Sequence, residues 1–438
     1  MIEKADTKIP VLVLGAGLAG LSTAYHLKKG NYALIEKEGR VGGTARSFLL
    51  NGFTFDFTGH LLHLHNPYTK ALVRRLLKNN FFRCFRNTWI FSHDTYTRYP
   101  FQANTYGLPP DVVDDCVLGF ADAYFKNQKE RTDFSRLNFE EWCRRIFGEG
   151  ISRHFMIPYN QKLYQTACKN LTPEWCGAFV PQPRLEDVVR GALKSDDKEF
   201  GYNATFLYPR KGGIQALPEA FARSLDGVRL NATIRRLDYK KKRAFLSTGE
   251  VIHYRNLVSA IPLPELLKIV DSLPSSVLKA RAKLKCASIL CVNLGVKRAK
   301  ISDRSWIYFP EREFPFYRVG FPMNFTPHVV PKGCSSMYVE IPLRADRPFS
   351  KRRVLAEVRK GLIKASILRA SDRFGAVQFL PIRYAYVIYD QARPGALKTI
   401  FSFLRDHDIQ SIGRYGAWKY SFMEEAILDG KAAAESIR

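Results

Sequence analysis

The apolar positions near the N-terminus predict a strand, a helix and a second strand. Ile9 to Leu14 is a β-branched, apolar run, and the residues that follow it to about Lys28 have the composition of a helix. Tyr32 to Ile35 is a second short apolar run. Short apolar runs joined by a helical segment are typical of a βαβ unit. The chain is therefore predicted to begin with α/β structure.

The pattern of apolar positions changes twice further along the chain. Residues 109–200 are dominated by helical patterns, for example Pro110 to Phe125 and Phe139 to Phe147, which predict a small helical domain. Arg229 to Ile261 is predicted to form a meander of strands. Leu284 to Tyr389 contains alternating, β-branched and aromatic runs, which predict an antiparallel sheet.

Glycines lie where the first predicted strand meets the first helix, in the pattern GxGxxG. Gly15 permits a tight turn, Gly17 lets the backbone approach a pyrophosphate, and Gly20 allows the helix to pack closely on the strand. Glu36 follows the second strand, where its carboxylate can accept hydrogen bonds from an adenosine ribose, and Lys37 lies next to it. Strand, glycines, helix, strand and acid together predict a dinucleotide-binding unit.

A second glycine-rich run, Arg40 to Arg46, comes soon after this acid. The run resembles the corresponding segment of the amine oxidase and phytoene desaturase class of flavoproteins, so FAD is the expected dinucleotide. Near the C-terminus, Ile412 to Trp418 leads into a helix predicted from about Phe422 to Ile437, whose N-terminus is expected to stabilise negative charge on a reduced flavin. The further FAD-binding residues that the resemblance implies are Gly42, Gly43, Thr44, Arg46, Gly59, Ile234, Gly413, Arg414, Phe422 and Met423.

The same resemblance implies an α/β fold with a discontinuous, Rossmann-like FAD-binding domain. An inserted helical domain and an inserted antiparallel β-sheet domain are expected to bind the substrate. The predicted segments are 1–80, 201–268 and 401–438 for the FAD-binding domain, 81–108 for strands of the substrate sheet, 109–200 for the helical insertion and 269–400 for the sheet and substrate domain.

The charge balance favours anionic partners. The chain has 68 Lys and Arg residues against 41 Asp and Glu residues, a net charge of +27, which suits sugar nucleotides, nucleic acid or acidic lipid headgroups. No RNA- or DNA-binding motif accompanies the charge, so nucleic acid is not an expected partner. Lys351 to Arg369 is predicted to be an amphipathic helix with a basic face. We expect it to pack on its own protein, and contact with an anionic membrane is the alternative.

The sequence also predicts the location of the protein. No run approaches the roughly 18 uninterrupted apolar residues of a spanning helix, so neither a signal peptide nor a transmembrane segment is predicted. Eight cysteines lie without CxxC pairs or ligand spacing, which predicts reduced thiols and no metal site. We therefore expect a cytoplasmic protein, with peripheral contact at the inner face of the membrane as an option.

Six short runs occur in one collinear order inside this scaffold. They are Tyr99 to Gln102, Phe155 to Asn160, Gly201 to Phe206, Ser305 to Glu311, Pro315 to Arg318 and Gly413 to Tyr420. Together they make the chain resemble the UDP-galactopyranose mutase family, particularly its eukaryotic type, over nearly its whole length. The resemblance implies a FAD-dependent mutase that interconverts the pyranose and furanose forms of a UDP-linked sugar. It also implies that N5 of the reduced flavin is the nucleophile at the anomeric carbon, and that NAD(P)H is the reductant.

Several of these runs contain side chains suited to a nucleotide sugar. Tyr99, Phe101 and Gln102 offer an aromatic face and an amide that suit a uracil ring, with a buried turn as the alternative. Trp306 and Tyr308 are two apart on a predicted strand, so both are expected on one face, where they would form the wall of a sugar pocket or part of the core. The remaining substrate-binding candidates, of which the two asparagines could instead cap turns, are Asn160, Tyr164 and Asn203.

Two arginines in apolar or aromatic surroundings are candidates for anion recognition. A guanidinium in such a setting is costly unless it meets an anion, either a nucleotide diphosphate or a scaffold carboxylate. The resemblance places Arg318 on the diphosphate, Arg414 near the flavin, and the hydroxyls of Tyr389 and Tyr420 on the diphosphate. It places His60 over the reactive face of the flavin, where the ring can bond the flavin edge or a sugar hydroxyl, with a purely structural histidine as the alternative.

The chain departs from the family pattern at three positions near the predicted site. Phe179 stands where the family has a second diphosphate-binding arginine, and Arg184 is the candidate replacement. Thr58 replaces a glycine, and His63 replaces an aromatic residue. The sugar pocket is therefore expected to differ from that of the family.

Two other functions use the same scaffold. A FAD-dependent oxidoreductase of the amine oxidase or desaturase class would use Arg318 to anchor an acidic substrate. A non-enzymatic flavin-binding protein would use the net charge of +27 at an anionic membrane or a glycan-assembly complex. Tyr99 to Gln102 and the arginine pair favour the mutase, because only a nucleotide-binding mutase needs both features.

Overall fold

Strands and helices follow one another as the apolar pattern predicts in the computed structural model, which describes residues 7–130, 133–195, 204–344 and 347–437. The strands are β1 (Thr7–Leu14), β2 (Tyr32–Ile35), β3 (Ser47–Leu50), β4 (Phe53–Asp56), β5 (Phe82–Phe85), β6 (Thr88–Ser92), β7 (Thr95–Arg98), β8 (Thr205–Tyr208), β9 (Val228–Arg229), β10 (Ile234–Asp238), β11 (Arg243–Leu246), β12 (Val251–Ser259), β13 (Cys286–Val296), β14 (Trp306–Tyr308), β15 (Arg318–Gly320), β16 (Ser335–Leu343), β17 (Phe374–Val387) and β18 (Ile409–Ser411). The helices are α1 (Leu18–His26), α2 (Pro67–Leu77), α3 (Pro110–Lys129), α4 (Phe139–Ile151), α5 (Ile157–Tyr164), α6 (Leu185–Leu193), α7 (Ala216–Ala222), α8 (Leu263–Ile269), α9 (Ser275–Ala282), α10 (Lys351–Lys364), α11 (Arg393–Arg405), α12 (Gly413–Gly416) and α13 (Met423–Ile437).

The first sheet is built around the N-terminal strand. Its order is β10-β11-β12-β1-β2-β9, and β18 also pairs with β12. β1 pairs in parallel with both β12 and β2. Leu12 and Val13 point to opposite faces of β1 and are both 0% exposed, because helices cover both faces of this parallel region. The predicted βαβ unit and the meander after it are confirmed.

The second sheet is mixed and not purely antiparallel. Its order is β17-β13-β16-β15-β14-β6-β7, and each pair is antiparallel except β14 and β6. β6 precedes the helical insertion and β14 follows it, and a connection of this length allows the chain to return in the same direction. The prediction of an antiparallel sheet was therefore wrong at this one pair.

The helical insertion contains α3, α4, α5 and α6, and its first two helices cross at very short range. A Cβ atom on Gly150 would lie 2.1 Å from the carbonyl oxygen of Asp115, and one on Gly148 would lie 2.0 Å from that of Gly119. The two helix backbones therefore touch, and only glycine fits at these positions. α5 follows α4 and brings its side chains to the second sheet.

The amphipathic helix α10 packs on its own protein, as predicted, and ends at Lys364, before the predicted Arg369. It lies against the second sheet. Val358 and Leu362 are 0% exposed, and a Cβ atom on Gly361 would lie 2.9 Å from the ring of Phe316. The basic residues at its start, Lys351 and Arg352, are exposed. Within the described ranges, no helix combines the length and the apolar character needed to cross a lipid bilayer.

Candidate functional site

Two glycine-rich runs meet beside the end of β1. Gly15 has a φ of +90°, and a Cβ atom on Gly20 would lie only 1.9 Å from the carbonyl oxygen of Gly15. Gly17 forms a β-bridge with Gly42, and a Cβ atom on Gly43 would lie 3.2 Å from the Cα of Gly17. Side chains are excluded from this junction, so a pyrophosphate can approach the backbone N–H groups directly.

Polar groups at the end of β2 complete the predicted dinucleotide site. The carboxylate of Glu36 accepts hydrogen bonds from the backbone N–H of Ala16 at 2.7 Å and of Glu38 at 2.9 Å. The buried Nε of Arg46 has no hydrogen-bond partner among the described residues. A bound dinucleotide offers the acceptor that this N–H lacks, so the residues fit the group. Lys37 is 71% exposed and lies outside this junction.

The C-terminal segment closes the junction from the other side. Gly413 approaches α1 so closely that a Cβ atom there would lie 2.8 Å from the Cβ of Ala19. Its backbone N–H donates to the carboxylate of Asp429 at 3.1 Å. The other predicted cofactor residues are Thr44 in the loop after the second glycine run, Gly59 in the loop after β4, Ile234 at the start of β10, Phe422 just before α13, and Met423 at its start.

The N-terminus of α13 differs from the expected anion site. Its first turn carries Glu424 and Glu425. The Glu424 carboxylate accepts from the backbone N–H groups of His65 and Asn66, and Glu425 accepts from the N–H of Phe422 at 2.6 Å. Two negative charges already occupy the positive end of the helix dipole, so this N-terminus stabilises an added negative charge less than the sequence predicted.

An ion pair between neighbouring strands lies at the centre of the candidate substrate site. Arg318 on β15 is directly opposite Glu340 on β16 in the antiparallel register. The Arg318 Nε donates to Oε2 of Glu340 at 2.9 Å, and its Nη2 donates to Oε1 at 2.6 Å. The Glu340 side chain is 0% exposed, and that of Arg318 is 21% exposed. The scaffold carboxylate that was the alternative partner for Arg318 is therefore present.

Glu340 is the main functional residue that the sequence prediction missed. Burial by itself would raise the pKa of its carboxyl, but Arg318 and the hydroxyl of Thr58 hold the pKa below its usual value. The carboxylate is therefore ionised, and it fixes the Arg318 guanidinium in one orientation. One signal in the sequence could have identified Glu340: it is the one acidic residue in the strand Ser335–Leu343.

His60 lies in the loop after β4, and its ring is hydrogen-bonded to the backbone of Thr58 in the same loop. Its Nδ1 is 3.1 Å from the carbonyl oxygen of Thr58, which can only accept, so Nδ1 carries the proton. Burial lowers the pKa of His60 to about 4, and the positive charges of Arg414 and Arg318 act in the same direction. His60 is therefore neutral near pH 7, and its Nε2 is a hydrogen-bond acceptor.

This lowered pKa predicts how His60 contributes to stability. Between pH 4 and pH 6.5 the unfolded chain binds a proton at His60 that the folded chain does not, so the free energy of unfolding falls as the pH falls through this window. His60→Gln is expected to remove roughly 3 kcal/mol of this pH-dependent loss. Urea unfolding of both proteins at several pH values checks this result. Parallel stability curves for the two proteins would contradict it.

Arg414 differs from Arg318 in its partners. Its Nη1 donates to the carbonyl of Ser421 at 2.6 Å, and its Nη2 donates to the carbonyl of Ala385 at 3.2 Å. No carboxylate among the described residues forms a salt bridge with it, and its guanidinium carbon lies 4.9 Å from the ring centroid of Tyr420. Carbonyls do not neutralise a guanidinium, so this partly buried charge favours an anionic ligand.

Several aromatic side chains lie beside Arg414. The backbone N–H of Tyr420 donates to the hydroxyl of Tyr389 at 2.7 Å, so the two predicted tyrosines are in contact. Tyr389 lies two residues beyond the end of β17. The ring centroid of Phe179 is 5.1 Å from that of Tyr420 and 5.2 Å from that of Phe422. The candidate replacement Arg184 lies elsewhere: its side chain is 73% exposed and near Glu186.

A second group of tyrosines lies around Tyr308, which is paired with Arg318 across β14 and β15. The ring centroid of Tyr308 is 5.6 Å from that of Tyr99 and 5.3 Å from that of Tyr159. The guanidinium carbon of Arg86 lies 4.9 Å from the ring centroid of Tyr99. Tyr159 and Arg86 were both missed by the sequence prediction. Tyr159 lies inside the run Phe155 to Asn160, from which only Asn160 was chosen as a candidate, and Arg86 lies in none of the six runs.

Five predicted substrate residues are buried and packed in the protein. Phe101 is 0% exposed and stacks on Phe155 at 5.0 Å between ring centroids. The side-chain amides of the two polar candidates donate hydrogen bonds within the protein. Gln102 Nε2 donates to the carbonyl of Pro181 at 2.7 Å, and Asn160 Nδ2 donates to the carbonyl of Met156 at 2.7 Å. The other two buried candidates are Tyr164, 3% exposed, and Trp306, 4% exposed. Asn203 lies outside the described residues.

These placements correct the expectation for one part of the site. The ring of Phe101 belongs to the core, because it follows a turn that directs it toward the helical insertion. Of the aromatic run that begins at Tyr99, only Tyr99 lies among the tyrosines around Arg318. The buried-turn interpretation therefore describes Phe101 and Gln102, whereas the Tyr99 ring contacts that of Tyr308.

The comparison with known proteins identifies the family. Residues 18–438 match the family described as flavin containing amine oxidoreductase. The chain belongs to this family. The expected α/β flavoprotein fold with several sheets and helices is confirmed. Membership makes the glycine-rich junction around Gly17 and Gly42 the expected flavin site, in agreement with its geometry.

Curated relatives match part of the chain. One of them is protoporphyrinogen oxidase 2, chloroplastic/mitochondrial, of Arabidopsis thaliana, which is 24% identical over 263 residues, or 52% of this chain and 50% of the relative. The chain thus matches about half the length of this relative.

Several solved structures match nearly the whole chain. A crystal structure of reduced UDP-galactopyranose mutase matches with a TM-score of 0.91 and 27% identity, covering 98% of this chain and 93% of that chain. A putative protoporphyrinogen oxidase from Exiguobacterium sp. 255-15 matches with a TM-score of 0.74 and 14% identity, covering 99% of both chains. Putrescine oxidase bound to putrescine matches with a TM-score of 0.68 and 16% identity, also over 99% of both chains. The two oxidases show a shared fold.

Proposed function

We propose that the protein is a FAD-dependent nucleotide-sugar mutase that interconverts pyranose and furanose forms of a UDP-linked sugar. The observation that carries the proposal is the pair of guanidinium groups, Arg318 and Arg414, each of which lies beside a tyrosine ring. The likeness to reduced UDP-galactopyranose mutase over nearly the whole chain supports it. When bound in its reduced form, the flavin supplies a nucleophilic N5 for the anomeric carbon.

The two arginines bind and neutralise the diphosphate in this proposal. Arg318 is held by Glu340 through two of its five N–H groups, which leaves three for a ligand. Arg414 brings a positive charge that no described carboxylate offsets. The Tyr389 hydroxyl accepts from the backbone of Tyr420 and can still donate its own proton. Together these groups stabilise the negative charge on a departing nucleotide diphosphate.

His60 has a defined role in the proton balance. Because Nδ1 donates to the Thr58 carbonyl, Nε2 carries a lone pair that can accept a hydrogen bond. A sugar hydroxyl is a suitable donor for this atom. The low pKa of His60 keeps the ring neutral, so it accepts a hydrogen bond and does not act as a general acid near pH 7.

The tyrosines around Tyr308 are the proposed site for the base. Tyr99, Tyr159 and Tyr308 present ring faces and edges at centroid distances of 5.3 to 5.6 Å. Aromatic stacking tolerates any base, so this group explains nucleotide binding without fixing uracil. UDP remains the proposed nucleotide through the family resemblance.

An oxidoreductase of the amine oxidase or desaturase class is the second candidate. The observation that favours it is Phe179, which puts an aromatic ring on Tyr420 where the mutase family has a diphosphate-binding arginine. Contact with the Phe179 ring would strengthen the binding of an apolar substrate, but it would not strengthen the binding of a diphosphate. The two oxidases among the structural matches share the scaffold.

An anaerobic flavin assay separates the two candidates. The oxidised protein is mixed with UDP-sugars, with amines such as putrescine and with a polyprenoid, and the visible flavin absorbance is followed. The mutase proposal predicts that none of these compounds reduces the flavin and that UDP perturbs its spectrum by binding. Rapid bleaching by an amine or a polyprenoid would support the oxidoreductase and contradict the mutase.

Phe179→Arg is expected to strengthen UDP binding. The new guanidinium would lie near Tyr420 and add a charge-assisted hydrogen bond to the diphosphate, so the Kd for UDP should fall about tenfold while the Kd for uridine stays the same. Isothermal titration calorimetry measures both constants. Phe179→Leu is the matched control and should bind UDP like the original protein. Equal changes for UDP and uridine would show that the diphosphate lies elsewhere.

The reductant and the location are further proposals. We propose NAD(P)H as the reductant, because the mutase reaction needs reduced flavin and has no net redox change. Bleaching of the flavin absorbance on anaerobic addition of NADH or NADPH tests this step.

We also propose that the protein acts in the cytoplasm. Its net charge of +27 supports recruitment to anionic surfaces there.

A further inference from the structure

Three contacts connect the substrate-binding arginine to the flavin-face histidine. Arg318 forms its two-pronged ion pair with Glu340. The Thr58 hydroxyl donates to Oε1 of the same carboxylate. The Thr58 carbonyl accepts from Nδ1 of His60 at 3.1 Å. Thr58 is thus bonded at one end to the ion pair and at the other end to the histidine ring.

The loop that carries Thr58 is fixed against the second sheet at two points. A Cβ atom on Gly59 would lie 2.4 Å from the hydroxyl oxygen of Tyr338, and one on Gly320 would lie 2.0 Å from the ring of the same tyrosine. The Tyr338 ring therefore lies between two glycine backbones. Tyr338 and Glu340 are two residues apart on β16, so both hold the loop from the same face of the strand. This contact leaves the loop little room to move independently of β16.

The Glu340 carboxylate accepts hydrogen bonds from the Arg318 guanidinium and the Thr58 hydroxyl, and the nearby Tyr317 hydroxyl also lowers its pKa. It is 0% exposed, so water cannot replace a donor that it loses. When an anion binds the Arg318 guanidinium, the ion pair with Glu340 weakens, and the carboxylate depends more on its other donors, among them the directly bonded Thr58 hydroxyl. A change at Arg318 therefore reaches the backbone that positions His60.

We propose that Thr58 is a positioning residue that couples diphosphate binding at Arg318 to the position of His60. The inference rests on the proposed function, since it takes the ligand of Arg318 to be a nucleotide diphosphate. The hydroxyl is the part of Thr58 that makes the coupling, and a glycine at this position would lack it. Diphosphate binding then orders His60 before the sugar is engaged.

The coupling is tested with the FAD-loaded protein, UDP as the probe, and the NMR signals of 13C-labelled histidine rings. The chain has nine histidines, and the His60 signal is assigned from its loss in His60→Gln. Thr58→Val keeps the shape of the side chain and removes the hydroxyl, while Thr58→Ser keeps the hydroxyl. Thr58→Ala removes the hydroxyl in a smaller side chain and serves if the valine variant does not fold.

The expected result is a UDP-dependent shift of the His60 signal in the original protein and in Thr58→Ser, and its loss in Thr58→Val and Thr58→Ala. Removing the hydroxyl leaves Glu340 more dependent on Arg318, so the Kd for UDP should also rise about fivefold in the two variants without it. An undiminished His60 shift in UDP-saturated Thr58→Val or Thr58→Ala overturns the coupling and leaves the proposed function intact. Absence of UDP binding to the original protein contradicts the proposed function itself.

Discussion

Arg318→Ala is expected to abolish nucleotide-sugar turnover and to lower the free energy of unfolding by about 3–5 kcal/mol. The loss of turnover follows from the missing N–H groups on the diphosphate. The loss of stability follows from Glu340, whose fully buried carboxylate would keep its charge without its guanidinium partner. Visible flavin absorbance after purification should persist, because Arg318 lies on the second sheet and not in the glycine-rich junction.

A double variant separates the two effects of this substitution. Arg318→Met combined with Glu340→Leu removes both charges and keeps similar side-chain volumes, so stability should return to within about 2 kcal/mol of the original protein. UDP binding, measured by calorimetry, should stay absent in the double variant. If Arg318→Ala or the double variant bound UDP with an unchanged Kd, the role of Arg318 would be limited to pairing with Glu340.

Gly20→Ala is expected to eliminate flavin binding. The added Cβ would lie 1.9 Å from the carbonyl oxygen of Gly15, and this backbone atom cannot move without opening the loop that approaches the pyrophosphate. The protein should purify without visible flavin absorbance, and its melting temperature should fall because an overpacked contact costs about 1–3 kcal/mol.

Gly395→Ala is the matched control for this substitution. Gly395 lies in α11 and is exposed, and a Cβ atom added there would meet nothing within 4 Å beyond its chain neighbours and the backbone of its own helix. Alanine should leave flavin content unchanged and stabilise the helix slightly, because glycine is the poorer helix former. Full flavin content in Gly20→Ala would show that the cofactor does not bind at this turn.

The dinucleotide-binding unit could be predicted from sequence because its determinants are local. The apolar run before Gly15 fixes β1, and the glycines fix the turn through contacts between residues only a few positions apart. The second strand was predicted with the bounds that the structure has, Tyr32–Ile35. Local patterns of this kind determine backbone conformation directly.

The partner of Arg318 could not be predicted in the same way. Glu340 lies 22 residues away, and the two meet only because β15 and β16 pair in one antiparallel register. A one-residue shift in that register would turn Glu340 to the opposite face. Residue types in a motif likewise do not say which side chain enters the core, which is why Phe101 was expected at the ligand and lies against Phe155.

The central claim is that the reduced protein isomerises a nucleotide sugar without net redox change. The most direct measurement is to incubate the dithionite-reduced protein with UDP-galactopyranose, with UDP-galactofuranose and with a panel of other nucleotide sugars, and to separate the products by chromatography. We predict pyranose–furanose exchange with at least one of them, only when the flavin is reduced and with the flavin still reduced at the end. No exchange with any of these sugars would contradict the account.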